Sequence, residues 1–90
     1  MGRAVVDMRS DTVTVPTDAM RLVMASAPVG DDVMGDDPSV RRLESLVASL
    51  TGKEEGMFVA SGTMSNQIGL RVQLGPMTSL ITDSRSHVYQ

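Results

Sequence analysis

Cysteine and tryptophan are absent from this 90-residue sequence, and phenylalanine, tyrosine, histidine and lysine occur once each. Without cysteine there is no disulfide framework and no thiolate metal site, a composition that suits a reducing compartment. The shortage of rings leaves eight methionines to fill apolar space. Methionine does so adaptably but specifies packing loosely, and a chain this short buries a smaller share of its surface than a full-sized domain. The expectation is a piece that does not form a complete, well-packed unit by itself. No basic cluster is present either: the net charge is −3 with the cations scattered, which argues against a nucleic-acid partner. No apolar run is long enough to span a bilayer, and the opening Met1-Gly2-Arg3-Ala4-Val5-Val6 is too short for a secretory signal. The reading is a soluble, intracellular chain with no membrane partner. The cytoplasm is favoured and a mitochondrial address stays open.

What the sequence does hold is organised around Met57-Phe58-Val59-Ala60-Ser61-Gly62-Thr63-Met64-Ser65-Asn66. Four apolar residues predict a short strand, Ser-Gly-Thr a tight turn, and the residues after it a helix running to about residue 74. The first amides of a helix lack internal partners and carry the positive end of the macrodipole, so an anion, most often a phosphate, is stabilised there. Gly62 lets the backbone approach it, and the hydroxyls of Ser61, Thr63 and Ser65 each offer a hydrogen bond.

Taken in order, residues 1–16 predict an extended N-terminal arm, with Val5-Val6 a possible short strand and Arg9-Ser10-Asp11-Thr12-Val13-Thr14 lacking helical period. Residues 17–90 form the remainder. Pro16 holds Val15 extended, and Thr17 caps a helix over 17–27 with Met20, Val23 and Met24 on one face. Gly30 to Pro38 is a loop with four aspartates whose spacing does not fit an EF-hand. Asp37-Pro38 reads instead as cap and first residue of a helix over 39–50. In that helix Val40, Leu43, Val47 and Leu50 share a stripe, with Arg41, Arg42 and Glu44 facing away. Gly52 stops it. After the third helix, Gly75-Pro76 is a break, residues 79–82 predict a second strand, and Asp83-Ser84-Arg85-Ser86-His87 a loop. Alternating helices and strands place the chain in the α/β class with strands most simply parallel, and two short strands suggest part of a longer chain.

The turn at Ser61 has neither the Gly-x-x-x-x-Gly-Lys-Ser/Thr of a nucleotide-binding loop nor Gly-x-Gly-x-x-Gly, which leaves a phosphate monoester such as pyridoxal phosphate. The bland alternative is a strand-to-helix turn with a capping Thr. His87 is the one side chain able to exchange protons near neutrality. It is either a ring that stacks on a planar cofactor or moves a proton, or a plain surface residue. Ser10 and Thr12 offer hydroxyls to a carboxylate, or simply decorate an edge. No metal site is expected.

Four stretches together resemble the N-terminal part of the L-specific, pyridoxal-phosphate-dependent threonine aldolase family: Asp7-Met8-Arg9-Ser10-Asp11-Thr12-Val13-Thr14, Ala27-Pro28-Val29-Gly30-Asp31-Asp32-Val33-Met34-Gly35-Asp36-Asp37-Pro38, Ser61-Gly62-Thr63-Met64-Ser65-Asn66, and the loop ending at His87. The resemblance implies the first portion of an aminotransferase-like large domain (fold type I). By the same resemblance Gly62 and Thr63 bind the phosphate of pyridoxal 5'-phosphate, His87 stacks on its ring beside the reacting centre, and Ser10 holds the carboxylate of a small amino-acid substrate. The implied reaction is cleavage of threonine or allo-threonine to glycine and acetaldehyde: the cofactor stabilises the carbanion while a base takes the β-hydroxyl proton. A homotetramer is implied as well. Met34 and Val15 stand where members often carry Tyr and Arg. The lysine that holds the cofactor covalently is expected in a later segment, since Lys53 does not match it. The 90 residues alone are therefore expected to be inactive. The alternatives are a non-catalytic fragment and a related lyase using the same cofactor.

Overall fold

The computed structural model describes residues 5–89, and the chain divides into two units, Met1–Ser39 and Val40–Gln90. Among the described residues three α-helices organise them: α1 (Asp18–Ser26), α2 (Pro38–Thr51) and α3 (Gly62–Gln73). The helix starts follow the predicted caps. Thr17 is extended and its Oγ1 accepts from the Met20 amide at 3.2 Å, while Asp18 supplies the negative charge that the first turn favours. At the other end Ala27 returns to an extended conformation ahead of Pro28. Met20, Val23 and Met24 do share one face, where with Val15 and Pro16 they line a shallow apolar groove.

In the first unit the aspartate-rich loop is closed by its own backbone. Asp31 Oδ1 accepts from the amides of Val33 at 2.8 Å and Met34 at 3.2 Å, and the Asp36 amide donates to the Asp31 carbonyl at 2.8 Å. Asp37 spans the base of the loop: Oδ2 accepts from the Gly30 amide at 3.2 Å and Oδ1 from the Ser39 amide at 2.9 Å, which caps α2 just ahead of Pro38. The Ser39 hydroxyl donates to the Pro28 carbonyl at 2.6 Å. Gly30 is required sterically, because a Cβ there would lie 2.8 Å from the Asp36 carbonyl carbon and 3.1 Å from the Asp37 nitrogen.

α2 ends as its sequence predicts. Gly52 takes φ +65°, the Lys53 amide donates to the Ala48 carbonyl at 2.9 Å, and the Gly52 amide to that of Ser49 at 3.3 Å. These are the paired bonds of a Schellman stop. The chain then returns along α2, with Gly56 pressed on its backbone: a Cβ would sit 2.8 Å from the Glu44 carbonyl oxygen. Glu44 reaches forward as well, its Oε1 accepting from the Phe58 amide at 2.8 Å. This corrects the expectation that Glu44 only faces solvent; it is half-buried. Its place one turn before Ala48, the buried residue of α2, accounts for the difference.

Two further expectations are corrected among the described residues. Residues 57–60 and 79–82 carry no strand, because a strand exists through a ladder partner about 4.8 Å away and neither segment meets one. The described structure is accordingly helical. The arm is not extended throughout either: Asp11–Val13 forms a 3-10 turn capped by Ser10. Here a side-chain oxygen offers the backbone a closer partner than a strand would. Val5 and Val6 are exposed and irregular. Among the described residues no helix is long and apolar enough to cross a membrane.

Candidate functional site

The start of α3 carries the clearest chemical feature. Ser61 is extended, with φ −154° and ψ 156°, and its Oγ accepts from the Met64 amide at 3.1 Å, while the Ser65 amide donates to the Ser61 carbonyl at 3.1 Å. The cap is thus Ser61, one residue before the helix begins. The Met64 amide, one of the four that a helix start leaves without an internal partner, is thereby satisfied, and the Ser65 bond is the first regular one of the helix. The amides of Gly62 and Thr63 make no hydrogen bond within the described residues. Gly62 and Thr63 are both exposed, and nothing lies within 4 Å of where a Gly62 Cβ would stand.

This donor set fits a phosphate monoester. Two adjacent amides point out of a 12-residue helix, the dipole adds partial positive charge, and the Thr63 hydroxyl lies beside them. The Ser61 hydroxyl accepts from Met64 and still has its proton to donate. Gly62 leaves open the space a ligand oxygen needs.

His87 lies in the same unit, in a run of turns after Asp83. The Ser86 amide donates to the Asp83 carbonyl at 2.9 Å and the Tyr89 amide to the Ser86 carbonyl at 3.0 Å. His87 itself is exposed, and next to it Val88 joins Ser65, Asn66, Gly69 and Leu70 of α3 in lining one shallow depression. Val88, the neighbour of His87, therefore stands beside the helix that begins at Gly62. Ser10 lies in the other unit. Its Oγ accepts from the Thr12 amide at 3.2 Å and from Thr12 Oγ1 at 2.9 Å, and donates to Asp11 Oδ1 at 3.3 Å. That last bond is long.

Sequence reasoning missed two ion pairs next to these residues. Arg9 is bound to Asp7 and Arg85 to Asp83. Each guanidinium holds its aspartate below the usual carboxylate range, through side-chain hydrogen bonds first and the arginine amide second. Because the folded values are depressed, both ties are in place at neutral pH and are lost only as acid titrates the carboxylates. The signal was available in the spacing, since an aspartate two residues before an arginine can accept from both its amide and its side chain.

Comparison with known proteins gives a consistent result. The family model described as beta-eliminating lyase matches residues 7–90. A probable low-specificity L-threonine aldolase 2 of Arabidopsis thaliana is 52% identical over 88 residues, covering 94% of this chain and 25% of that protein. The low-specificity L-threonine aldolase 1 of the same plant is 51% identical over 88 residues, with coverages of 94% and 25%. The low specificity L-threonine aldolase of Saccharomyces cerevisiae is 49% identical over 84 residues, covering 92% of this chain and 22% of that protein. The chain thus spans about a quarter of the length of the curated relatives it matches. No solved structure matches.

Proposed function

This chain belongs to the beta-eliminating lyase family, and from that premise we propose that it supplies the phosphate-binding and ring-contacting part of a pyridoxal-phosphate-dependent threonine aldolase. The observation that carries the reading is the pair of unpartnered amides at Gly62 and Thr63, on a helix start where Ser61 caps the Met64 amide. Relatives named as low-specificity threonine aldolases, about half identical over the same residues, support the choice of reaction.

In this reading Gly62 and Thr63 hold the cofactor phosphate through their amides and the Thr63 hydroxyl. Their role is to fix its position, and the charge on the phosphate is balanced by the helix end. When bound, pyridoxal phosphate supplies the electron sink for the carbanion left on cleavage of the bond between Cα and Cβ. His87 would lie against the ring and exclude water from one face. Its imidazole would also be the group to receive the β-hydroxyl proton as the aldehyde departs. Ser10 donates its hydroxyl to the substrate carboxylate in place of Asp11. The α/β layering belongs to this reading too: residues 57–60 and 79–82 become strands when neighbouring strands complete a sheet, and residues 17–90 form the first part of the cofactor-binding domain behind an arm over 1–16. A homotetramer is the assembly we expect of the whole protein.

The whole protein loaded with pyridoxal phosphate should release glycine and acetaldehyde in equal amounts from L-threonine or L-allo-threonine, followed by coupling acetaldehyde to NADH oxidation. The 90 residues alone should release neither. A whole protein that binds the cofactor yet yields ammonia and a 2-oxo acid from threonine or serine, without acetaldehyde, would replace the aldolase reading with that of a related lyase.

A further inference from the structure

Two short segments, one in each unit, are built alike. Residues 7–13 read Asp-Met-Arg-Ser-Asp-Thr-Val and residues 83–89 read Asp-Ser-Arg-Ser-His-Val-Tyr. At matching positions they share the aspartate, the arginine and the following serine, and nothing else. Their hydrogen bonds nevertheless repeat. Asp7 Oδ1 accepts from the Arg9 amide at 3.1 Å and Arg9 Nε at 2.9 Å, and Oδ2 accepts from Arg9 Nη2. Asp83 Oδ1 accepts from the Arg85 amide at 2.8 Å and Arg85 Nε at 3.2 Å, and Oδ2 accepts from Arg85 Nη2 at 3.3 Å.

The serine after each arginine then does the same work twice. Ser10 Oγ accepts from the amide two residues on at 3.2 Å, and Ser86 Oγ does so at 3.4 Å. The Ser10 and Ser86 carbonyls accept from the amides three residues on, at 3.4 Å and 3.0 Å. Because different neighbours give the same bonds, the geometry is encoded by Asp-x-Arg-Ser itself.

Stability does not account for these pairs. The Arg9 and Arg85 side chains are 80% and 90% exposed, and exposed ion pairs contribute little to folding. What they do is fix the backbone just before a short turn. One turn carries Ser10 as its serine; the other carries His87 directly after its serine. A planar guanidinium bridging both carboxylate oxygens while its own amide is held leaves the arginine little freedom, and an ammonium cannot reproduce that fork.

We propose that the Asp-x-Arg-Ser turn is a positioning device used twice, and that Asp83 and Arg85 are positioning residues that aim His87 at the cofactor ring. The aim at the ring rests on the aldolase reading above; the brace on the turn does not. The test uses the whole protein with the substitutions Asp83→Asn, Arg85→Gln and Arg85→Lys. In the cofactor-free protein, exchange of the Val88 and Tyr89 amides should rise several-fold in D83N and R85Q, reporting local opening. In the loaded protein, visible circular dichroism per bound cofactor should fall, and kcat for threonine should drop about 10- to 100-fold with KM within about twofold, the signature of a misplaced group. R85K should behave like R85Q in both readouts despite keeping the charge.

Unchanged exchange and dichroism in D83N, in a protein whose parent cleaves threonine, would overturn the proposal. So would full recovery in R85K, which would reduce the pair to simple charge. A parent that binds no cofactor would defeat the aldolase reading, and the aim at the ring with it, while the exchange data still decide the brace. Should D83N fail to fold, R85Q and R85K are read in the same two measurements.

Discussion

Replacing Gly62 by proline should weaken binding of pyridoxal phosphate by the whole protein about 10- to 100-fold while leaving its fold intact. The substitution is selective for physical reasons. Proline is favoured at the first position of a helix, where its fixed φ is already helical and its missing N–H is not needed by the helix. The residue before a proline must be extended, and Ser61 already is, at φ −154° and ψ 156°. Gly62 has no positive φ to lose. What proline removes is one of the two free amides, and its ring enters the space that nothing else occupies within 4 Å. A hydrogen bond to a charged group contributes roughly 1.5–3 kcal/mol, and each 1.4 kcal/mol is tenfold in affinity. Pyridoxal without its phosphate supplies the control: its affinity should change by less than about twofold. Equal losses for both ligands, measured by absorbance titration, would mean that the proline disturbs the site generally.

Replacing Gly56 by alanine should cost the fold about 2–3 kcal/mol, a large part of the 5–15 kcal/mol that holds a typical domain together. The added Cβ would stand 2.8 Å from the Glu44 carbonyl oxygen, which is backbone inside α2 and cannot swing aside as a side chain can. Relief requires moving residues 56–58 off the helix, and that pulls the Phe58 amide from Glu44 Oε1, now at 2.8 Å. The strain and the lost bond therefore act together. Glu44→Gln separates them, because it keeps an acceptor oxygen for Phe58 and adds no volume, so it should cost about 1 kcal/mol or less. Urea unfolding reads the difference as a lower midpoint with an unchanged slope. A G56A protein as stable as its parent would show that residues 56–58 do not lie on α2.

Much of the local structure was legible in the sequence because it is written in single residues. Thr17 and Asp37-Pro38 start helices within one residue of where their side-chain chemistry places them, and Gly52 and Pro28 end them, whereas the third helix is capped by Ser61 and not by the expected Thr. The strands were not realised among the described residues for a different reason. An apolar run such as Met57-Phe58-Val59-Ala60 states a preference, but a ladder needs a second segment, and no local signal supplies it. The side-chain ties were illegible for a third reason. Glu44 meets Phe58 across 14 residues, and only the return of the chain along α2 brings them together. Ser10 illustrates the same limit at short range. Its hydroxyl was legible as a hydrogen-bonding group, but the Thr12 and Asp11 partners that occupy it depend on a turn that alternation of residues conceals.

The anion site was legible at the level of residue type and became sharper in structure. Of the amides that a helix start leaves without an internal partner, the Ser61 hydroxyl takes that of Met64, and those of Gly62 and Thr63 stay open among the described residues. The number of free donors is what turns a capped helix into a candidate phosphate cradle. Amide proton and nitrogen shifts of Gly62 and Thr63, followed as pyridoxal phosphate and then pyridoxal are added to the whole protein, measure this most directly. The account predicts that both amides move downfield and become protected from exchange with the phosphorylated ligand and stay in place with pyridoxal. Amides at Gly62 and Thr63 that do not respond to the phosphate, while others elsewhere do, would contradict it.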